Sequence, residues 1–414
     1  MEMMSAGAIT TPATQRWQAR ATSVKEIEQE LSRIWSEAAR EIRDAGVGAH
    51  QRAEAMGDPR LSGLMNEFDD VRVRTRTSVL TLVVVASRPE TAERAMDAVN
   101  HLASRHPSRA IILAPGDPDG PATVDAQIFA NCRLSDSGAS ETCTEEILVR
   151  TGGELMQHLT GVVAPLLIHD LPVVLWWPDD PPIGSRPFRE LTETSDRLLV
   201  DSGAFREDGA KRLTGLAAVV ADGQTVRDIG WMRLTLWREL LAGLFDHPLL
   251  LPELSAIKTL RIDISQPGDI FRITKAALFC GWLAATLGWE LAEPMGRQAG
   301  DDSLRGVLRR GRNLIRVEFR PVSPGGDRAL RSPGSIARVE LELGRGRHDI
   351  RARVTRQADH LLGTADWDGA RVNRRAGRLE AFGEAPFVAE ALDKSAHDRT
   401  FETALAHAAR LIGR

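Results

Sequence analysis

The sequence predicts an N-terminal helix, then an α/β domain on a mixed or parallel sheet covered by helices, then a C-terminal α+β domain with an antiparallel meander. Three observations predict it. Between about residues 70 and 225, β-branched runs alternate with stretches of helical periodicity, the pattern of a sheet covered on both faces. Within that region Asp170-Leu171-Pro172-Val173-Val174-Leu175-Trp176-Trp177-Pro178 is an apolar strand that Pro178 must end, because proline cannot donate to a ladder. After Gly223, long apolar-faced helices stand beside strands joined by Gly- and Pro-rich turns. The domains expected are therefore an N-terminal helical segment over 1–69, the α/β domain with the Trp-Trp strand over 70–225, and the α+β domain over 226–414.

The first ordered element expected is a helix from Ser23 to Asp44: Val24, Ile27, Leu31, Ile34, Trp35, Ala38 and Ile42 recur at helical spacing, and Ser23 with Glu26 forms a capping box. Gly46 to Asp70 reads as loop or weak helix. Ser78–Ser87 is a strand, Thr91–Ser104 a helix, and Arg109–Ala114, Ala126–Leu134 and Glu145–Arg150 are strands. A helix over Glu154–Ile168 leads into the Trp-Trp strand, where successive side chains point to opposite faces; one tryptophan is expected in the core and the other at least partly facing solvent, the alternative being a doubly covered sheet that buries both. Arg197–Asp201 closes the series as a strand, followed by a helix over Ala210–Val220. In the last domain, Asp228–Phe245 reads as one amphipathic helix with Trp231, Leu234, Trp237, Leu241 and Leu244 on or beside one line, helping to join the two main domains. Ile257–Ile264 is a strand, Ile273–Leu287 an apolar helix, Leu314–Phe319, Ser335–Leu343 and His348–Thr355 are strands, and a helix runs from Lys394 to Ile412.

With 43% hydrophobic and 27% charged residues in a chain of 414, the composition is that of a soluble protein of two or three domains. A net charge of -4 exerts no overall pull toward nucleic acid or membrane, so neither is expected as a partner. Met1 to Gln15 lacks the features of a secretory signal, and the longest apolar helix candidate, Ala276–Gly288, is shorter than the roughly 20 residues that span a bilayer. The expected compartment is the cytoplasm. Basic residues are nearly all arginine, with lysine at Lys25, Lys211, Lys258, Lys275 and Lys394, as a coding bias would give.

Motifs of catalysis are missing. There is no glycine-rich phosphate loop, no Gly-x-Gly-x-x-Gly after a strand, no Gly-x-Ser-x-Gly elbow and no His-Glu-x-x-His zinc helix, so no cofactor, metal or catalytic residue is assigned. His169-Asp170 reads as a turn before a strand rather than an acid/base pair. Cys132 and Cys143 flank a turn-forming stretch; they read first as buried small side chains, with a redox pair as the alternative if the flanking segments form a hairpin. Arg351, Arg353 and Arg356 follow one another along a strand, and interleaved acids favour a solvated face.

Several blocks resemble one family. They are Thr81-Leu82-Val83-Val84-Val85, His106-Pro107-Ser108-Arg109, Cys143 ahead of Glu145-Glu146-Ile147, the Asp170 to Pro178 strand, and Asp196-Arg197-Leu198-Leu199-Val200-Asp201-Ser202. Further on come Trp231-Met232-Arg233-Leu234 with Trp237-Arg238-Glu239, Phe245-Asp246, and Gly281-Trp282-Leu283 with Leu287-Gly288-Trp289. Together, from about residue 78 to 290, they resemble the OpcA proteins, the assembly proteins or subunits of glucose-6-phosphate dehydrogenase. The resemblance implies a non-catalytic protein that binds that dehydrogenase, promotes its oligomeric assembly and activates it as an allosteric effector at the entry to the oxidative pentose phosphate pathway; self-association is left open. Thiol redox control, discussed for some members, makes Cys132 and Cys143 the residues to test. Candidates for contact with a partner or ligand are Asp170, Pro172, Trp176, Trp177, Asp201, Ser202, Trp231, Arg233, Trp237 and Arg238. The alternative reading is a sugar-phosphate or nucleotide-binding α/β enzyme or sensor, with Asp170, Trp177, Asp201 and Ser202 lining a crevice at the strand ends.

Overall fold

The computed structural model describes residues 14–37, 40, 73–76, 78–134, 140–206, 208–268, 271–298, 301–324, 332–344, 347–379, 383–394 and 396–413. The expected loop over Gly46–Asp70 and the end of the first helix lie outside them. The described chain forms two compact units, one up to Trp176 together with Arg189–Asp196, the other Trp177–Phe188 with Arg197 onward.

In the first unit, strand β1 (Thr14–Ala21) precedes a helix over residues 24–37, so the first described element is a strand and not the helix expected. The helix starts where the sequence places it: Glu26 N–H donates to Ser23 Oγ at 3.3 Å, while the Glu26 carboxylate reaches back to Thr22 N at 2.8 Å. Strands β2 (Val73–Arg76), β3 (Leu80–Val85), β4 (Ser108–Pro115), β5 (Val124–Leu134), β6 (Ser140–Thr151) and β7 (Val173–Trp177), whose last residue belongs to the second unit, follow. Their order is β1-β5-β6-β4-β3-β7, with β2 also beside β6. The β6-β4-β3-β7 run is parallel, whereas β1–β5 and β5–β6 are antiparallel, which gives the mixed sheet expected. The helix Pro89–Leu102 connects β3 to β4 with Ala92, Ala95, Ala98, Val99 and Leu102 buried.

The helix expected over Glu154–Ile168 is broken into a 3-10 turn at Gly153–Gln157, a short helix at Leu159–Val163 and a second turn at Ala164–Leu166. Pro165 has no N–H to continue the ladder, and Gly153 sits at φ +56, where a Cβ would stand 2.6 Å from Gly120 O. Both tryptophans are buried, Trp176 at 0% and Trp177 at 4% exposure, which corrects the expectation of one facing solvent and agrees with the doubly covered alternative. The reason is double coverage: Trp176 pairs in register with Val84 of the fully buried β3, and Trp177 packs its ring 5.5 Å from that of Phe188 on the helix Arg186–Glu193, which the sequence did not reveal.

One buried acid in this unit carries a pH consequence. Glu146, 2% exposed on β6, accepts from Asn131 at 3.2 Å and Asn100 at 3.4 Å, yet burial, with Asp97 nearby, pushes its pKa up to about 7. The folded chain therefore holds this proton more tightly than the unfolded chain. The stability it contributes is full at acid pH and is lost as pH rises from 4.5 through about 7. Glu146→Gln is expected to match the native chain near pH 4 and to be the more stable near pH 8, by about 3 kcal/mol. Urea unfolding at the two pH values checks it, and parallel pH profiles would overturn it.

In the second unit, β8 (Arg197–Val200) and β9 (Val226–Asp228) are parallel and joined through the helix Gly209–Ala221. The long helix expected over Asp228–Phe245 is two, Ile229–Met232 and Thr235–Leu244. Thr235 Oγ1 donates to Met232 O at 2.7 Å, a local bond that competes with a continuous ladder. Strands β10 (Ile257–Ser265), β11 (Glu290–Gln298), β12 (Asp301–Arg310), β13 (Asn313–Val322), β14 (Ile336–Leu343), β15 (Ile350–Gln357), β16 (His360–Trp367) and β17 (Ala370–Arg378) form an eight-stranded sheet in the order β11-β12-β13-β10-β14-β15-β16-β17. Every neighbour pair is antiparallel except β10–β13, so the expected meander is interrupted once. Leu260, Ile262 and Ile264 of β10 face the core at 0% exposure. Between them Arg261 pairs with Glu318 at 3.0 Å and Glu340 at 2.9 Å, and Arg353 pairs with Glu340 at 2.7 Å. The arginine run along β15 is thus part of an ion-paired strand face. The helix Thr274–Leu287 lies close against the terminal helix Arg399–Ile412, since a Cβ on Gly281 would stand 2.1 Å from Ala404 O. That terminal helix begins five residues later than Lys394, capped by Asp398, which accepts from Phe401 N at 3.0 Å; the helix Ala385–Asp393 precedes it. No described helix is long and apolar enough to cross a membrane.

Candidate functional site

In the second unit, β8 and β9 end side by side, with Val200 opposite Asp228. The carboxyl ends of parallel strands are where α/β folds place functional groups. Asp201 and Ser202 leave β8 in a short 3-10 turn, Ser202–Ala204, while Asp228 ends β9 and caps the helix Ile229–Met232. Asp228, 1% exposed, joins the two: one oxygen accepts from Ser202 N at 2.8 Å and Gly230 N at 2.9 Å, the other from Ser202 Oγ at 2.6 Å and Trp231 N at 3.2 Å. Gly230 is required there, because a Cβ would meet Ser202 Oγ at 2.5 Å and Gly203 N at 2.8 Å. Burial first, then the charge of Asp201, pushes Asp228 up to about 6 against the pull of its donors.

Charged groups gather around this node. Asp201, 5% exposed, accepts from Gly203 N at 3.0 Å and forms an ion pair with Arg233, whose guanidinium lies 5.2 Å from the centroid of the Phe387 ring. Lys275, half-buried at the start of the helix Thr274–Leu287, lies against Gly203, its Cε 2.6 Å from where a Cβ would be. Burial lowers the pKa of its ammonium; Asp201 opposes that shift and Arg233 and Arg356 add to it. Thr274 Oγ1 donates to Ser202 O at 2.9 Å and anchors the same helix to the turn.

A cavity of about 200 Å³ opens beside this node, lined by Arg227, Met232, Thr235, Arg238, Lys394 and Asp398 among others. Trp231 forms one wall. Its ring lies 5.9 Å from that of Phe401, its Nε1 donates to Asp398 at 3.3 Å, and the Arg238 guanidinium stands 3.4 Å from its ring centroid. Arg238 also donates to Thr235 Oγ1 at 3.0 Å, and burial pushes its pKa down to about 10, so it remains a cation at neutral pH. Arg227, 8% exposed, sits 3.4 Å from Asp398 and donates to Lys394 O at 3.3 Å and to Ala396 O.

Of the candidate residues, Asp201, Ser202, Trp231, Arg233 and Arg238 come together in this region. Trp237 is 3% exposed and belongs to the core. In the first unit, Asp170 and Pro172 are exposed at the entry to β7, Asp170 in the left-handed region at φ 67, and Pro172 O accepts from Thr81 N at 2.9 Å. Trp176 and Trp177 are interior, and none of these four lines the cavity. Cys132 stands opposite Cys143 in the β5–β6 register. Cys143 is 0% exposed and disulfide-bonded, which corrects its first reading as a free buried thiol. Cys280 is free, and burial pushes its thiol well above the ordinary range, leaving it inert. Sequence reasoning missed Asp228 and Lys275. The Asp228-Ile229-Gly230 spacing is a capping signal that points to the first, and nothing local marks the second.

Two family models match in sequence order. Residues 99–217 match the N-terminal domain of the glucose-6-phosphate dehydrogenase subunit family, and residues 224–405 match the C-terminal domain of the same family. The OxPP cycle protein OpcA of Nostoc punctiforme is 32% identical over 194 residues, 46% of this chain and 40% of that protein. Its counterpart in Synechocystis is 29% identical over 189 residues, 45% and 38% of the two chains, and that of Synechococcus elongatus 27% over 236 residues, 56% and 51%. The chain thus spans 38% to 51% of the length of these relatives. Among solved structures, the WlbA (WbpB) dehydrogenase of Thermus thermophilus with NAD and alpha-ketoglutarate is 12% identical with a TM-score of 0.42, over 80% of this chain and 93% of that one, a likeness too low to support a conclusion. Resting on the two family models and the three relatives, the conclusion is that the chain belongs to the OpcA family.

Proposed function

We propose that this chain is a non-catalytic accessory subunit of glucose-6-phosphate dehydrogenase that promotes the enzyme's oligomeric assembly and raises its activity as an allosteric effector, at the entry to the oxidative pentose phosphate pathway. The observation that carries this reading is the pair of family models for the two domains of a dehydrogenase subunit, matched over 99–217 and 224–405 in order. Such an effector needs no chemistry of its own. It binds the active state of its partner more tightly than the inactive one, by the coupling free energy. The test mixes the purified chain with the dehydrogenase encoded in the same genome and measures assembly mass and the glucose 6-phosphate saturation curve. A larger assembly and a shifted curve are expected, with no turnover by the chain alone. Unchanged kinetics and mass at saturating ratio, or oxidation of glucose 6-phosphate by the isolated chain, would overturn the reading.

A second reading, a sugar-phosphate sensor, draws on Lys275, which stands at the ends of β8 and β9 among Asp201, Arg233 and Arg356. A rise in melting temperature with glucose 6-phosphate that disappears in Lys275→Gln would favour it.

A further inference from the structure

We propose that the cavity beside Trp231 receives an acidic side chain of the partner protein, whose carboxylate the stacked Arg238 guanidinium holds. The proposal rests on the accessory-protein reading and deepens it by naming a contact. Arg238 is held in place before any partner arrives: one face lies 3.4 Å from the centroid of the Trp231 ring, and one terminal nitrogen donates to Thr235 Oγ1 at 3.0 Å. An arginine fixed in this way presents its remaining N–H groups in a planar fork that matches a carboxylate, and little side-chain entropy is left to lose on binding.

Three carboxylates, Asp228, Glu390 and Asp398, line the cavity with its three cations, and each already has partners, so the pairing leaves one cation over. Among the lining residues, Arg227 has Asp398 at 3.4 Å and Lys394 has Glu390 at 2.5 Å. Arg238 has no carboxylate at ion-pair distance among the described residues; Asp398, Glu239 and Glu390 act on it only at longer range. A partly desolvated cation without a counter-ion is a cost that an incoming anion relieves. Arg227, 8% exposed in the wall of the same cavity, adds a second cation, and its buried Nε has no hydrogen-bond partner among the described residues.

The size of the cavity decides the occupant. About 200 Å³ far exceeds the space of one water and falls short of the roughly 300–1,000 Å³ of cofactor and drug-sized sites. A single side chain fits this interval. Arginine and tryptophan in a half-buried pocket are also the residue types that dominate protein interfaces.

The experiment uses the full chain and the dehydrogenase encoded in the same genome, with the dissociation constant and the melting temperature measured for the native chain, Arg238→Gln, Arg238→Lys and Arg310→Gln, an exposed control on β12. Loss of a charge-assisted contact should raise the dissociation constant about tenfold or more in Arg238→Gln, less in Arg238→Lys, and not in Arg310→Gln, with melting temperatures held. Should Arg238→Gln fail to fold, Arg238→Lys carries the comparison. Binding by the native chain and all three variants within about twofold overturns the contact alone. Failure of the native chain to bind overturns the accessory-protein reading and the contact with it. Acetate is the free-carboxylate probe: an acetate-dependent rise in melting temperature lost in Arg238→Gln, with dehydrogenase binding unaffected by the substitution, would assign the cavity to a small acid and overturn the proposal.

Discussion

Trp176→Ala and Trp177→Ala are each expected to destabilise the protein by about 3–5 kcal/mol, the range for removing a buried aromatic side chain and leaving its cavity. Exposures of 0% and 4% leave neither ring available as a surface anchor. The two differ in what a conservative change would do. Trp176 Nε1 is buried with no hydrogen-bond partner among the described residues, so Trp176→Phe removes an unsatisfied donor along with some volume, and the loss should be a fraction of that for alanine. Trp177→Phe should retain the contact with Phe188, whose ring centroid is 5.5 Å away. Urea unfolding of the four variants provides the comparison. An alanine variant as stable as the native chain would return that ring to the candidates for partner contact, and a Trp176→Phe loss equal to that of Trp176→Ala would refute the account of the unpaired N–H.

The sheet strands that sequence reading recovers are those whose apolar residues are unmistakable, such as Leu80–Val85 and Val173–Trp177. The strands it misses lack that signal. Ala370–Arg378 carries four arginines in nine residues and is exposed or half-exposed throughout, so its pattern is that of a polar loop, and only pairing with β16 makes it a strand. Glu290–Gln298 contains a proline and a glycine and shifts register against β12 more than once, as an irregular edge strand does. Around the candidate site, Trp231, Arg233 and Arg238 are conspicuous as residue types, but their arrangement depends on a helix break between Met232 and Thr235 that periodicity cannot show. Lys275 is far from Gly203 in sequence and meets it only through tertiary packing.

Asp228→Ala is expected to cost more than about 4 kcal/mol, and Asp228→Asn about 1–3 kcal/mol, because the two leave different numbers of buried donors without a partner. Alanine abandons all four: Ser202 N, Ser202 Oγ, Gly230 N and Trp231 N. Asparagine can keep its carbonyl oxygen on the side of Ser202 N and Gly230 N. Its amide nitrogen then faces Ser202 Oγ, which can rotate to accept, and Trp231 N, which cannot. A single orphaned N–H remains. The asparagine deficit should also depend on pH. Since the folded chain holds the Asp228 proton up to about 6, above its ordinary 3.8, the native chain loses stability as pH rises through that interval, while the variant has no such titration. The gap between them should therefore narrow from about pH 4 to about pH 7. Urea unfolding of both variants across that range decides the matter. A gap that widens with pH would show that the four donors outweigh burial and hold Asp228 as a carboxylate, and equal losses for alanine and asparagine would remove it as the tie between the ends of β8 and β9.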